Sequence, residues 1–481
     1  MIKLYNTLIL RPTLGLFCLI GIAISVYLLS TPYYHYALLP GLLILFLLLL
    51  AHSPQLGFYV IVFMIPYESF RVFTTPFGSL SVSKVVAFWI AISILFYSLP
   101  NKRYSLNIRS NLWPWLLVFF LISSVSAVFS DYPSMSWESL RRLLVAYVFF
   151  ALTLSFISHQ DFCRRLPAVL ILSVSFSVLL SLVGYILDIP LFTIDMDLES
   201  QSTGRLIGTV YNPNHYAFML LFCLPLLVQW IFSSSSPTRK LLALALFFMN
   251  IIGIILTYSR GGAIVLTVVL SLIFFQHLRK FNPKHLGFVG ALGVVAFVII
   301  VISLPSSYWS RQKSIRTGVG DSSIMGRISY LYVGWDSFKK NPVLGSGPGT
   351  FNQVYAGARY AFTPGYSRTK EDLRRDAHNT YLEVTVGTGI PGLAVFLTIV
   401  WFTLRNFHLA IKHFRFRGNQ EMVSLVIAYR LSFFSILTYF FMLSRLSHKF
   451  FWLSLALSQV ALRLSQEETG EERSENAASG K

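Results

Sequence analysis

Residues 240–276 read KLLALALFFMNIIGIILTYSRGGAIVLTVVLSLIFFQ, two apolar runs (240–257 and 261–276) joined by Thr257-Tyr-Ser-Arg-Gly-Gly262 with almost no loop. Each run is close to the roughly 17 to 25 residues that cross a hydrocarbon layer. Arg260 is the one charged side chain between Leu241 and Gln276. A pair of runs this apolar, turned back to back around a single arginine, is a membrane hairpin rather than two core helices of a soluble domain.

The same pattern recurs outward. Further apolar runs centre on 13–30, 36–51, 55–66, 83–99, 113–130, 143–158, 166–187, 216–233, 286–304, 387–404, 422–443 and 450–464. With the hairpin this gives fourteen candidate spans, or twelve if the short 55–66 run, ending near Pro66, forms a re-entrant pair with 36–51. The first run follows Lys3 and Arg11 and shows no small-residue cleavage site, so it is read as an uncleaved span. The predicted fold is an all-α integral membrane protein with 12–14 transmembrane helices.

Composition agrees. Of 481 residues, 55% are hydrophobic and 12% charged, where a soluble domain carries about 25% charged residues; the mean hydropathy is +0.63. Cys18, Cys163 and Cys223 form neither a CxxC metal site nor a disulfide framework. The net charge of +19 reflects topology rather than nucleic acid, because Lys and Arg set orientation in membrane proteins. Alternate short loops carry 19 basic residues on one side and 8 on the other. The 19-charge side is cytoplasmic, both termini lie there, and the segments 188–215 and 305–386 face outward.

The expected organisation is N-terminal spans over 1–187, central spans with outward arginine motifs over 188–304, a large external loop over 305–386, C-terminal spans over 387–465, and a disordered cytoplasmic tail over 466–481. The tail is acidic, with five glutamates, and so solvated.

Four stretches interrupt the apolar background on the outer face. Residues 204–217 place Arg205, Asn214 and His215 at the membrane surface, with Asn214 as a candidate helix cap. Arg260, at the rim of its hairpin, needs an anionic partner, since an unpaired charge at bilayer depth costs about 2.5–3.5 kcal/mol. Residues 326–351 open with Gly326-Arg327, and Ile328, Leu331, Tyr332, Trp335 and Phe338 recur at helical spacing as an amphipathic surface helix; the glycine-rich run Gly345–Gly349 follows as a closely packed loop. Finally, His378 and Asn379 stand where the long loop returns to the membrane, with Asp376 or Glu383 near enough in sequence to favour proton uptake by the imidazole. Asp195-Met-Asp197 is the alternative metal motif, but paired carboxylates in a polar loop are usually just solvated. No cofactor or metal is expected.

Combined, these residues suit one chemistry. The guanidinium fork binds phosphate oxygens bidentately, so Arg205 and Arg260 at headgroup level fit a lipid-borne diphosphate, reinforced by Arg141, Arg142 and Arg327. A diphosphate departs once preorganised cations stabilise its developing charge, and His378 can deprotonate an attacking sugar hydroxyl. No nucleotide is available outside the cytoplasm, so the donor carries its own leaving group. A transporter is the alternative class; it would place ionisable residues mid-membrane, where Arg430 is the one charged residue well inside a confident span.

At these positions the chain resembles the O-antigen ligase and polymerase superfamily of bacterial envelope proteins. The resemblance rests on Arg205 with Asn214, on Ser259-Arg260-Gly261, on Gly326-Arg327 with Asn341-Pro342 and Gly345–Phe351, and on His378-Asn379 through Gly389-Ile-Pro-Gly392, covering roughly residues 200 to 400. It implies a metal-independent, glycosyltransferase C-like fold in the bacterial inner membrane, with a large periplasmic loop. It also implies transfer of a glycan from undecaprenyl diphosphate, with inversion. The acceptor is lipid A core for a ligase and another lipid-linked repeat for a polymerase. On this chain the resemblance makes Arg205, Arg260 and His378 catalytic, with Asn214, Arg327, Asn379, Arg141 and Arg142 binding substrate. Membrane lipids are the remaining partners, and no nucleic acid is expected.

Overall fold

The computed structural model describes residues 22–27, 29–31, 38, 40–41, 54–68, 107–157, 160–187, 205–210, 212–277, 322–358 and 375–478. Among them every regular element is helical. The runs at 36–51, 83–99 and 286–304, and Asp195 and Asp197, lie largely or wholly outside the described residues.

The chain divides into two compact units, Met1–Asn107 and Ile108–Lys481. In the first, α1 (Pro54–Phe63) ends in a 3-10 turn, Ile65–Tyr67, where Pro66 cannot extend an α-helix. At ten residues α1 is too short to cross a bilayer by itself.

The second unit holds α2 (Trp113–Val128), α3 (Pro133–Phe156), α4 (Gln160–Ile186), α5 (Pro213–Ser233), α6 (Pro237–Leu256), α7 (Arg260–His277), α8 (Ser322–Lys340), α9 (Phe351–Ala356), α10 (Thr380–Phe416), α11 (Gln420–Tyr439) and α12 (Lys449–Ala478). Six of these, α3, α4, α5, α6, α10 and α11, are long and apolar enough to span a membrane. The architecture is that of an all-α, multi-pass membrane protein.

Proline starts α3, α5 and α6, where its fixed φ and missing N–H cost nothing. The α5 helix is the centre of one layer: Tyr216 through Leu227 are almost completely buried between α4, α6, α7 and α11. A second layer packs α10 on α2 and α12, and α12 on α3. The α11 helix touches both layers.

Polar groups inside are tied to main chain or to each other, as hydrocarbon offers no other partner. Asn111 and Asn406 exchange amide hydrogen bonds of 2.8 and 3.0 Å between α10 and the start of α2. Arg463 donates to the carbonyls of Leu154 (3.1 Å) and Ile157 (2.8 Å), a cation closing the C-terminal end of α3. Arg463 is thus buried, a second basic residue within an apolar helix besides the half-buried Arg430. The α12 helix runs as far as Ala478.

The glycine-rich loop docks against a break in α10. Ser346 N–H donates to Val386 O (2.8 Å), Gly347 N–H to Gly387 O (3.1 Å), and Ile390 N–H to Pro342 O (2.9 Å). Gly389 sits at φ 66°, ψ −165° and kinks the helix ahead of Pro391. A Cβ at Gly389 would collide with the carbonyl oxygen of Val343, and one at Gly345 (φ 70°) would stand 2.5 Å from the backbone of Gly387. Two backbones can approach this closely only without side chains.

Residue 389 should therefore tolerate no side chain. Gly389→Ala is expected to destabilise the protein by about 1–3 kcal/mol or more, read as a lowered unfolding temperature in detergent; an unchanged transition would show that the kink relaxes freely.

Candidate functional site

Three helices begin at one place. The α5 helix starts behind Asn212, which is extended (φ −147°) and whose Oδ1 accepts from the N–H groups of Asn214 (3.0 Å) and His215 (3.1 Å). At α7, Ser259 Oγ accepts from Gly262 N–H (3.0 Å). Asn379 caps α10, its Oδ1 accepting from Leu382 N–H (3.1 Å). Each helix start carries partial positive charge.

All three rest on the turn between α11 and α12. Thr380 donates its N–H to Phe440 O (2.8 Å) and its hydroxyl to Leu443 O (2.6 Å); its Oγ1 also accepts from Arg445 N–H (3.2 Å). Asn379 N–H reaches Ser444 Oγ (3.1 Å). Ser259 donates to Asn214 Oδ1 (2.7 Å) and shares a 3.1 Å hydrogen bond with Tyr439. Arg445 Nε donates to His215 Nε2 (2.7 Å), and the His448 ring meets Phe218 edge-on at 4.8 Å.

The expected arginines cluster around this turn. Arg205 leads a short extended piece whose Leu206 N–H bonds Leu256 O (2.9 Å), and its own Nε donates to Thr257 O (3.1 Å). Arg260 is the first residue of α7, and a Cβ on the next residue, Gly261, would lie 3.2 Å from Met442. Arg327, on α8, reaches the Met442 sulfur at 3.3 Å. The charges of Arg205 and Arg327 both act on the Tyr439 hydroxyl, and Arg327 and Arg445 both act on His378.

Two of the three caps are preceded by residues in the left-handed region without being glycine, Tyr258 (φ 51°) and His378 (φ 46°). Such conformations cost of order 1–3 kcal/mol and persist where surrounding structure imposes them. Burial lowers the pKa of His378, Asp376 opposes the shift, and Arg327, Arg375 and Arg445 add to it. The imidazole is therefore neutral near pH 7 and able to accept a proton. Burial lowers His448 as well, to about 3.

Other expected residues fall elsewhere or serve differently. Asn214 does not cap α5; Asn212 does, because Pro213 takes the first helical position, and Asn214 instead receives the Ser259 hydroxyl. Arg141 is exposed and paired with Glu138 at 2.6 Å. Arg142 lines a cavity of about 370 Å³ with Glu138, Asp376, Glu383 and Arg445; Arg205, Arg260 and His378 lie outside its lining. Asp376 and Arg445 connect that cavity to His378. On α8 the stripe of Ile328, Leu331, Tyr332 and Trp335 is exposed, and a different face, Tyr330 and Val333, packs with Phe351 and Tyr355. Among the described residues no group of three or more His, Cys, Asp or Glu could hold a metal.

The sequence reading overlooked Arg445, His448 and Tyr439. The signal for Arg445 was present: Ser444-Arg-Leu-Ser-His-Lys449 is a short basic turn between apolar runs, the pattern that drew attention to Arg260.

No curated protein matches the chain. Residues 242–397, a stretch that includes Arg260, Arg327, His378 and Asn379, match the family model described as O-antigen ligase, and this match supports membership of the O-antigen ligase superfamily.

Proposed function

We propose that the protein is an O-antigen ligase-like glycosyltransferase, moving a glycan from undecaprenyl diphosphate to a sugar hydroxyl of lipid A core at the periplasmic face of the inner membrane. The family match supports a ligase- or polymerase-type function generally. The observation that carries the finer reading is the convergence of three helix N-termini and several arginines beside a half-buried, neutral histidine. Helix starts and guanidinium groups together favour a di-anion, and the histidine supplies a base.

In this reaction the diphosphate lies against Arg205, Arg260 and Arg327. His378 removes the proton from the acceptor hydroxyl, whose oxygen forms a bond to the anomeric carbon as the carbon–oxygen bond to the diphosphate breaks. The electron pair leaves on undecaprenyl diphosphate, where the cations stabilise it, and attack from the opposite face inverts the anomeric centre. No metal takes part. The cavity of Arg142, Glu138, Glu383, Ser139 and Ser444 offers the mixed donors and acceptors that a polyhydroxylated acceptor requires.

Three outcomes are expected. His378→Ala should lower transfer about 10²–10⁴-fold, the usual worth of a general base, while membrane insertion is unchanged. In cells carrying this variant, full-length polymer should remain on the lipid carrier and vanish from lipid A. Single repeats on the carrier would assign a polymerase instead, and unchanged pools would overturn the envelope-glycan reading.

The rate should rise with pH through an apparent pKa below the free histidine value of about 6.5, because burial and the neighbouring arginines favour the neutral ring. Asp376→Asn removes the carboxylate that favours the imidazolium, so the acidic limb should move to still lower pH. A limb at or above 6.5 would exclude His378 as the base.

Arg445→Gln should leave the protein folded and lower transfer about tenfold, the scale of one charge-assisted hydrogen bond. A rate equal to that of the parent would place Arg445 outside the reaction.

A further inference from the structure

The opposite end of the α10–α11 pair carries a second concentration of positive charge. His408, Lys412 and Arg415 follow one another at i, i+4 and i+7 on α10, which puts them on one helical face. With Arg430 of α11, Gln276 of α7 and Ile411 they line a cavity of about 370 Å³. No carboxylate lines it. None of the ion pairs of the described residues involves Lys412, Arg415 or Arg430.

Arg430 stands ten residues into a twenty-residue apolar helix. Its Nε is buried without a hydrogen-bond partner, an arrangement that hydrocarbon penalises strongly. Past the kink at Gly389 the α10 helix continues over 390–416, 27 residues or about 40 Å at 1.5 Å per residue, against a hydrocarbon layer of roughly 30 Å. Its last turns therefore project past the acyl chains, which brings Lys412 and Arg415 to headgroup depth, with His408 one turn deeper. Arg430, from α11, completes the cationic lining of the cavity. Guanidinium and ammonium groups arranged this way select phosphate oxygens.

We propose that this cavity is a phosphate-binding site filled by the headgroup of an anionic phospholipid, remote from the His378 site and independent of the transfer reaction. Phosphatidylglycerol fits its chemistry: one phosphodiester for the arginines and two acyl chains that stay in the bilayer beside α10. Arg430 then has the partner that its depth demands, and bound lipid fastens α11 to α10 at the end away from the catalytic turn.

The test uses the full chain, purified in detergent, depleted of lipid, and titrated with phosphatidylglycerol or phosphatidylcholine while bound lipid is counted by native mass spectrometry. One phosphatidylglycerol is expected to bind in preference to phosphatidylcholine. Arg430→Met and, separately, the double variant Lys412→Gln with Arg415→Gln should each weaken binding about tenfold or more, the loss of one charge-assisted contact. The double variant lies on an exposed face and keeps the test valid if Arg430→Met fails to fold. Inorganic phosphate, titrated alone, distinguishes the sources. Retention of phosphate with no preference for the anionic lipid would keep the site and assign it to a soluble phosphate compound. Equal binding of both lipids, no phosphate binding, and no change in either variant would overturn the site.

Discussion

Thr380 holds the functional end of the protein together. Its N–H and hydroxyl close on the carbonyls of Phe440 and Leu443, and its oxygen takes the Arg445 N–H. This one residue thereby joins the start of α10 to the turn linking α11 and α12. Through that turn α10 is coupled to α5, by Arg445 on His215, and α7 is coupled to it by Tyr439 on Ser259. Helix starts of like partial charge repel at close range, so their convergence requires hydrogen bonds of this kind to hold it.

The second constraint is the backbone-to-backbone seam between the glycine-rich loop and the α10 break. Hydrogen bonds from Ser346 and Gly347 to Val386 and Gly387 position the glycine-rich loop directly on the helix that His378 precedes. Ser126 and Ser130 add hydroxyl bonds to Gly387 O (2.6 Å) and Ser346 O (2.7 Å), extending the seam to α2. The break at Gly389 ends the first part of α10 after about ten residues. The portion carrying Asn379, Thr380 and Glu383 is thus set at its own angle, free of the direction that the rest of the helix takes through the apolar layer.

Much of this was legible in the sequence. Membrane immersion follows from apolar runs of crossing length, and Arg260 and His378 stand out because charge at an apolar boundary needs a reason. The amphipathic stripe of α8 was visible as periodicity, yet periodicity cannot say which face is buried when lipid and water are both available as surroundings. Asn212 and Asn214 are equivalent by composition; only Pro213, which must follow a cap rather than precede one, separates them. The contact between Arg445 and His215 spans 230 residues and leaves no local trace. Its prediction needs the packing of α5 against α11, which pattern alone does not specify.

Charge is divided across the proposed active site in a way that suits the two proposed substrates. Arg205 bonds a carbonyl and Arg327 a thioether, both neutral acceptors. On the cavity side, Arg142 and Arg445 stand among Glu138, Asp376 and Glu383, and the signs largely offset. A diphosphate calls for the first environment, because its charge grows as the carbon–oxygen bond breaks. A sugar hydroxyl calls for the second, since a neutral ligand rich in donors and acceptors gains little from net field and much from paired partners. His378 is held neutral chiefly by its burial, with Arg327, Arg375 and Arg445 adding to the effect. Moving it toward the cations would weaken it as a base, and moving it toward the carboxylates would protonate it before the acceptor arrives.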